Sequence, residues 1–222
     1  MAGTSRPIPL AIGHRMLTDW PLFYILVMRL KGKSMARPRS ADKRNAIMAA
    51  ATRVIVTHGL SAPTAVIAQE AGVSNGSLFT YFETKTELFN QLYLELKAGM
   101  ASVALEGLPA KAKIREQFFH IWSNWMGWAV SNPDKRRALV QLGVSDEITP
   151  ASRAAGHKTM TRIVELMEQS RAGGPMRNAP MGFVAAIVNS LAETTMDFMI
   201  HDPANAQKHC KAGFDALWRV IA

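Results

Sequence analysis

A single cysteine, Cys210, stands among 222 residues. One thiol closes no intrachain disulfide and rules out a CxxC metal or redox motif. The fold must therefore rest on packing, and a chain of this length buries a core large enough to fold unaided. Cys210 has no basic cluster near it in sequence, so it reads as a small core residue of the last helix rather than a redox sensor. Long apolar runs are scarce too. The stretch Trp20 to Leu30, WPLFYILVMRL, is about half the length needed to cross a bilayer. A basic stretch follows it, with no small-residue cleavage site, which argues against a secretory signal.

Signatures of catalysis are missing as well. There is no Gly-rich phosphate loop, no HExxH and no nucleophile elbow. The six histidines, His14, His58, His120, His157, His201 and His209, are scattered. Glu165 and Glu168 share a helical stretch with His157 but lie more than two turns from it. Glu193, Asp197 and His201 repeat every four residues, a spacing that could hold a metal, though a solvated helix face explains it equally well. No catalytic residue, metal ligand or cofactor is assigned.

Acidic residues are outnumbered, 17 Asp and Glu against 26 Lys and Arg, for a formal charge of +9. Such a balance points to a polyanionic partner without identifying it. The excess is uneven. Between Arg29 and Arg53 there are eight Lys or Arg and one acid, Asp42. A basic tail that merely keeps the protein soluble would look the same, but this cluster abuts the most informative segment of the chain.

That segment is Ser61 to Leu88, SAPTAVIAQEAGVSNGSLFTYFETKTEL. It reads as two short helices joined by a tight turn at Gly72, where the first helix stops and the backbone needs φ > 0. Ile67, Ala68, Ala71, Val73, Leu78 and Phe82 form the inner face, with Ala68 small where the helices cross. Ser74 is a good N-cap for the second helix, which spans about Asn75 to Phe82. The arrangement presents the second helix outward, as a helix-turn-helix does. From Lys43 to about Leu92 the chain resembles the DNA-binding segment of the TetR/AcrR family of bacterial transcriptional regulators. An amphipathic first helix, NAIMAAATRVIVTHG, precedes IAQEAGVSNGSLFTYFETKTELF.

The resemblance implies roles for particular residues. Thr64, Tyr81 and Lys85 are the expected phosphate contacts; Asn75, Ser77 and Thr80 face outward and are the expected base readers, with Ser74 at their cap. Lys85 also begins a helix, whose N–H groups favour an anion. Arg37 and Arg39 precede the first helix and are expected to reach a neighbouring groove as an arm. Two departures thin the readout. Position 79, often tyrosine in the family, is Phe79, and Ala65 and Gly76 offer no reach, so phosphates and DNA shape carry more of the affinity.

The remaining pattern is helical, with no strand-like alternation and no repeat. A first helix is expected over about Ala41 to His58, ended by Gly59, and a fourth, capped by Thr84, running toward Met100. Ile114, Phe118, Ile121, Trp122, Trp125 and Trp128 form a broad apolar stripe, interrupted at Asn132-Pro133. Thr149-Pro150 opens a helix that carries Met160, Ile163, Val164 and Met167 on one face. Two helices at about 180–201 and 204–221 close the chain. The expected fold class is all-α, with nine or ten helices. Residues 1–34 read as an extension, 35–92 as the helix-turn-helix DNA-binding domain, and 93–222 as a helical effector-binding and dimerisation domain.

In that last region Phe119, Trp122, Trp125, Met126, His157 and Met160 are the expected lining of an apolar pocket. Val184, Val188, Leu191, Phe214 and Leu217 lie on the stripes of the last two helices, which in the family build a dimer four-helix bundle. The resemblance implies a cytoplasmic repressor, homodimeric, bound to a palindromic operator in double-stranded DNA and released by an unknown small apolar or amphipathic effector. No membrane is expected. A helical metal-dependent enzyme and a DNA-binding protein that senses nothing are the alternatives.

Translation is expected to start at Met35, which opens MARPRSADKRNAIM after a sharp change in composition. An appended helix or a weak membrane-surface anchor is the other reading of residues 1–34. Intact mass of the natively expressed protein checks this: a mass beginning at Met35 is expected, and one that includes residues 1–34 overturns it.

Overall fold

Side chains that cap, and prolines that cannot continue a helix, divide this chain into its elements. The computed structural model describes residues 39–222. Among the described residues there are ten α-helices and no strand. They are α1 (Arg39–His58), α2 (Thr64–Glu70), α3 (Asn75–Tyr81), α4 (Lys85–Leu105), α5 (Ile114–Ser131), α6 (Pro133–Gly143), α7 (Pro150–Lys158), α8 (Thr161–Arg171), α9 (Met181–His201) and α10 (Ala206–Ile221). A short 3₁₀ turn, Pro203–Asn205, leads into α10. The two N-caps expected from hydroxyl side chains, Ser74 and Thr84, are seen, and Thr149 forms a third. Ser74 accepts from the Ser77 N–H at 3.1 Å, Thr84 from that of Glu87 at 3.0 Å, and Thr149 from that of Ser152 at 3.2 Å. Pro133 and Pro150 occupy first turns, where a missing N–H costs nothing.

One expected helix is in fact two. The stretch opened by Thr149-Pro150 breaks at Thr159-Met160, separating α7 from α8. The Thr159 hydroxyl donates to the Gly156 carbonyl at 2.7 Å and the Thr161 hydroxyl to that of Lys158 at 2.8 Å. Side-chain donors so close to the ladder compete with it, and Met160 leaves the helical region at φ −97°, ψ 2°. The loop after α8 is gathered by Arg171, whose guanidinium donates to the carbonyls of Met176 and Ala179 at 2.7 Å and to the Glu168 carboxylate.

Two main cores form, and α4 serves both. The first collects Ile47, Val54 and Ile55 of α1, Ile67 of α2, Leu78 of α3, and Leu88, Phe89, Leu92 and Leu96 of α4, closed by Leu142 and Ile148. The second joins Met100 of α4 to Trp122 and Met126 of α5, Val184, Val188 and Met196 of α9, and Phe214 and Leu217 of α10. The division expected at 92/93 thus falls inside an unbroken helix. A smaller cluster links Ala104 and Ile121 to Ile163 and Leu166 of α8.

A polar clamp fixes α4 to the start of α7. The Asn90 side chain is buried, and its amide nitrogen donates to the carbonyls of Thr86 and Glu147, both at 2.7 Å. Its oxygen accepts from the Thr149 N–H at 2.9 Å and hydroxyl at 3.2 Å. The amide's bonding capacity is filled, which is what makes a buried asparagine tolerable.

The last two helices approach closely at Gly213. A Cβ built there would lie 2.1 Å from Thr195 Oγ1 and 2.9 Å from its Cγ2. Nearby, Trp122 Nε1 donates to the Cys210 carbonyl at 3.0 Å, tying α5 to α10. Gly213→Ala is expected to lower stability by about 1–3 kcal/mol through overpacking. Adding Thr195→Ala removes the two nearest atoms and should recover part of the loss. Thermal unfolding of both single variants and the pair checks this; strictly additive losses would show that the two sites do not meet.

Candidate nucleic-acid interface and cavity

The turn between α2 and α3 is set by its backbone bonds. The Val73 N–H donates to the Ala68 carbonyl at 3.0 Å and the Gly72 N–H to that of Gln69 at 3.0 Å, with Gly72 at φ +67°. This paired closure is a Schellman motif, and its left-handed residue suits glycine. Leu78 and Phe82, fully buried, hold the inner side of α3, and Val73 packs against the same core. What remains of α3 faces solvent. Asn75, Gly76, Phe79 and Thr80 are exposed, and Ser77 is half-buried beside Tyr81.

The polar set on this face is thinner than its residue names imply. Thr80 donates its hydroxyl to the Gly76 carbonyl at 3.2 Å, and Ser74 uses its oxygen as the cap. Phe79, 40% exposed, is the large side chain on the outward arc. Its sequence reading registered a lost hydroxyl, whereas its position gives an apolar surface able to meet a thymine methyl. Thr64 begins α2 and Lys85 begins α4, both partly exposed. The Lys85 ammonium rests 5.4 Å from the centre of the Phe89 ring. Glu87 shares that helix start and accepts from the Glu83 N–H at 2.6 Å, so the terminus already holds one carboxylate.

Not all of the basic cluster is available to a partner. Arg44 donates to Gln91 at 2.9 Å and pairs with Glu95 at 3.3 Å, while Arg53 pairs with Glu70 at 2.7 Å. Lys43 is exposed. Arg39 opens α1, and Arg37 lies outside the described residues.

Behind α4 a cavity of about 200 Å³ is enclosed by α4, α5, α8 and α9, with His157 of α7 at its side. Trp122, Trp125, His157 and Met160 line it as expected, and the two indoles meet edge to face at 6.1 Å. Phe119 and Met126 do not. Phe119 turns to the last helix, 4.9 Å from the Phe214 ring, and Met126 is fully buried in the second core. Both sit one residue, or about 100° of helix, away from the face formed by Phe118, Ile121, Trp122 and Trp125. Two lining residues had no sequence signal of their own, Lys97 and Asn189. Lys97 falls three residues before Met100 and seven before Ala104, on the same face of α4. Burial pushes its ammonium below the usual lysine range.

The residues expected at a dimer interface divide differently. Val184, Val188, Phe214 and Leu217 are buried in the chain's own second core, and Leu191 is partly buried against it. The apolar stripes therefore pair α9 with α10 and α5 inside one chain. A further face of α9 is left outward, with Phe183 and Phe198 at 56% and 58% exposure. Among the described residues, α9 is the helix long and apolar enough to cross a membrane, at a mean hydropathy of 1.3.

The possible metal trio is also reassigned. Arg136 donates to Glu193 at 2.5 and 2.9 Å and to Asp197 at 2.7 Å, and His201 Nδ1 meets the Asp197 carbonyl. A guanidinium occupies the place between the carboxylates. Among the described residues no group of three or more His, Cys, Asp or Glu is arranged to hold a metal ion. Cys210 is buried, and burial pushes its thiol up, away from the reactive thiolate.

Known proteins share this arrangement. Residues 47–92 match the family model for bacterial regulatory proteins of the tetR family. A TetR family transcription regulator from Shewanella sp. PV-4 is 26% identical, covering 79% of this chain and 96% of its own, at a TM-score of 0.71. One from Marinobacter aquaeolei VT8 is 20% identical over 82% of this chain and 96% of its own, at 0.69. The TetR-like regulator LfrR of Mycobacterium smegmatis, solved in complex with proflavine, is 18% identical over 82% and 98%, at 0.58. These relatives are transcription regulators. In its helix-turn-helix segment and in the fold built around it, the chain is similar to the TetR family of transcription regulators.

Proposed function

We propose that this regulator is a repressor, which binds a palindromic operator in double-stranded DNA as a homodimer and leaves it when a small apolar or amphipathic molecule enters the cavity. The continuity of α4 carries this reading. Lys85, at the first turn, belongs to the DNA-facing unit, and Met100 and Ala104 of the same helix line the cavity. Fifteen residues of unbroken helix span about 22 Å between Lys85 and Met100. A ligand that tilts the far end of α4 moves the near end with it. Two recognition helices must stand about 34–36 Å apart to enter successive major grooves, so a small tilt in each protomer suffices to lose the register. The effect is a population shift, bounded by the ligand's differential affinity for the two states.

Four observations support the parts of this reading. LfrR, of the same fold, was solved with proflavine bound. The cavity argues against a DNA-binding protein that senses nothing, since coating DNA needs no apolar chamber. The exposed Phe183 and Phe198 on α9 are a surface that a second copy would cover. A single buried thiol suits the reducing cytoplasm, where such DNA is found.

Substitutions on the DNA-facing helices separate positioning from reading. Lys85→Ala is expected to weaken binding to operator and random DNA alike and to reduce the salt slope by about one unit. Tyr81→Phe should act in the same direction. Asn75→Ala, Thr80→Ala and Phe79→Ala should instead narrow the gap between operator and random DNA, by about 1 kcal/mol each, the low end for a base contact. Affinities for both DNAs at several salt concentrations distinguish the two classes. If every variant binds as the native protein does, this face does not read DNA.

Pairing Phe183→Glu with Phe198→Glu is expected to give a folded monomer with little operator affinity. Phe214→Asp places a charge in the chain's own core at a cost of several kcal/mol, and should unfold the protein rather than separate protomers. Sedimentation and circular dichroism together check this. A dimer that survives the double substitution has its interface elsewhere.

A further inference from the structure

We propose that the cavity selects an organic anion: a small or medium-chain carboxylic acid whose apolar chain lies against Trp122 and Trp125 and whose carboxylate is held by Lys97. The inference rests on the functional reading above for its consequence at DNA, but not for its chemistry, which comes from the cavity wall. Of the fifteen lining residues, none is Asp or Glu, while Lys97, His157 and Asn189 each supply a hydrogen-bond donor. Among the described residues no carboxylate lies within ion-pairing distance of Lys97, and its one charge-related contact is the Tyr93 ring at 5.9 Å. An organic cation in this chamber would meet an ammonium and no counter-charge. An organic anion would meet the missing partner.

On the α6 side a further cation stands near the cavity. An adjoining recess shares Lys97, Met100, Trp125, His157 and Asn189 with the cavity and adds Arg136, Arg153 and Glu193. Glu193 is already held by Arg136 at 2.5 Å. Arg153 is spent on the carbonyls of Gly143 and Ser145, both at 2.7 Å, and stays as an uncompensated positive charge. Arg153 therefore adds a positive charge on this side of the cavity, while Arg136 is offset by Glu193 and Asp197. Met100, Ile163, Val164, Met167 and Val188 make the rest of the wall apolar, which fits an apolar chain. A volume of about 200 Å³ lies below the range of about 300–1,000 Å³ usual for drug-sized ligands, which sets the scale at an eight-carbon acid rather than a long one.

Octanoate, 1-octanol and octylammonium differ in headgroup charge at constant chain length and make the test direct. Binding is read by tryptophan fluorescence on the full chain, and operator release by a DNA-binding assay with the same probes. Octanoate is expected to bind at least tenfold more tightly than either of the others. Lys97→Met should remove that preference while leaving octanol affinity within about threefold, and Lys97→Gln, which keeps a polar end, should lose it as well. Lys97→Glu should shift the preference to octylammonium. Equal affinity for octanoate and octanol in the native protein, no binding of octanoate, or a carboxylate preference that survives Lys97→Met overturns the assignment. Octanoate that binds through Lys97 yet leaves operator affinity unchanged upholds the assignment and instead overturns the repressor-release reading.

Discussion

Leu88, Phe89 and Leu92 hold the helix-turn-helix to the body of the protein, and all three lie on the helix that also lines the cavity. That shared helix is the constraint on which the rest depends. It contains no proline and no break over its 21 residues, so its two ends cannot move independently. Thr84 and Glu87 fix where it begins, and Gly107 and Pro109 follow where it stops. The Asn90 clamp pins it to the start of α7 about one turn into the helix. With the near third clamped and the far third facing a chamber of flexible Met and aromatic side chains, any pivot belongs at the clamp. Under the proposed function, a lean of the far end about this clamp is what carries cavity occupancy to the DNA-facing unit.

The DNA-facing unit was legible in the sequence because its determinants are local. A left-handed glycine, an N-cap three residues before a donor and alternating buried positions all act within one or two turns, and Gly72, Ser74, Leu78 and Phe82 stand where that reading put them. The cavity was legible only to within a residue. An aromatic stripe identifies a buried helix, but choosing Phe119 over Phe118, or Met126 over Trp125, needs the rotation of α5 about its axis, which its neighbours set. The last two helices expose a deeper limit. Period alone shows that Val184 and Phe214 are buried; it does not say whether the partner belongs to the same chain. The intrachain pairing took those residues, and only exposure reveals Phe183 and Phe198 as the face left over. The break at Thr159 was hidden because hydroxyl competition with the ladder is decided by rotamers.

Charge distribution changes meaning in the same way once pairing is known. Arg44, Arg53, Arg136 and Arg171 all count toward the formal +9, yet each spends its guanidinium on a carboxylate or carbonyl within the chain. The exposed pairs among them, Arg44–Glu95 and Arg53–Glu70, contribute little stability, typically about 0–1 kcal/mol. The effect of the four arginines is to fix the seams, α1 to α2 and α4, α6 to α9, and α8 to its loop, while removing those charges from any surface that attracts phosphate. On the helix-turn-helix unit the described cations outside these seams are Lys43 and Lys85.

Lys97 breaks the rule that those arginines obey. It is partly desolvated, its ammonium is held below its ordinary range by burial, and it has no carboxylate to offset the cost. A leucine or methionine at this point of α4 would carry no charge to desolvate. Local choices in a natural sequence agree with the fold, and those that disagree concentrate where function sets the residue. The direction of the shift strengthens the point. An ammonium destabilised by burial gains more from an incoming carboxylate than a solvated one does, because the charged form then recovers the partner that water used to supply. Lys97 stands twelve residues, or about 18 Å of helix, from Lys85. A charge introduced at the first position is thus presented to the same rigid body that bears the second, and the stability given up at the cavity wall is the part a ligand can restore.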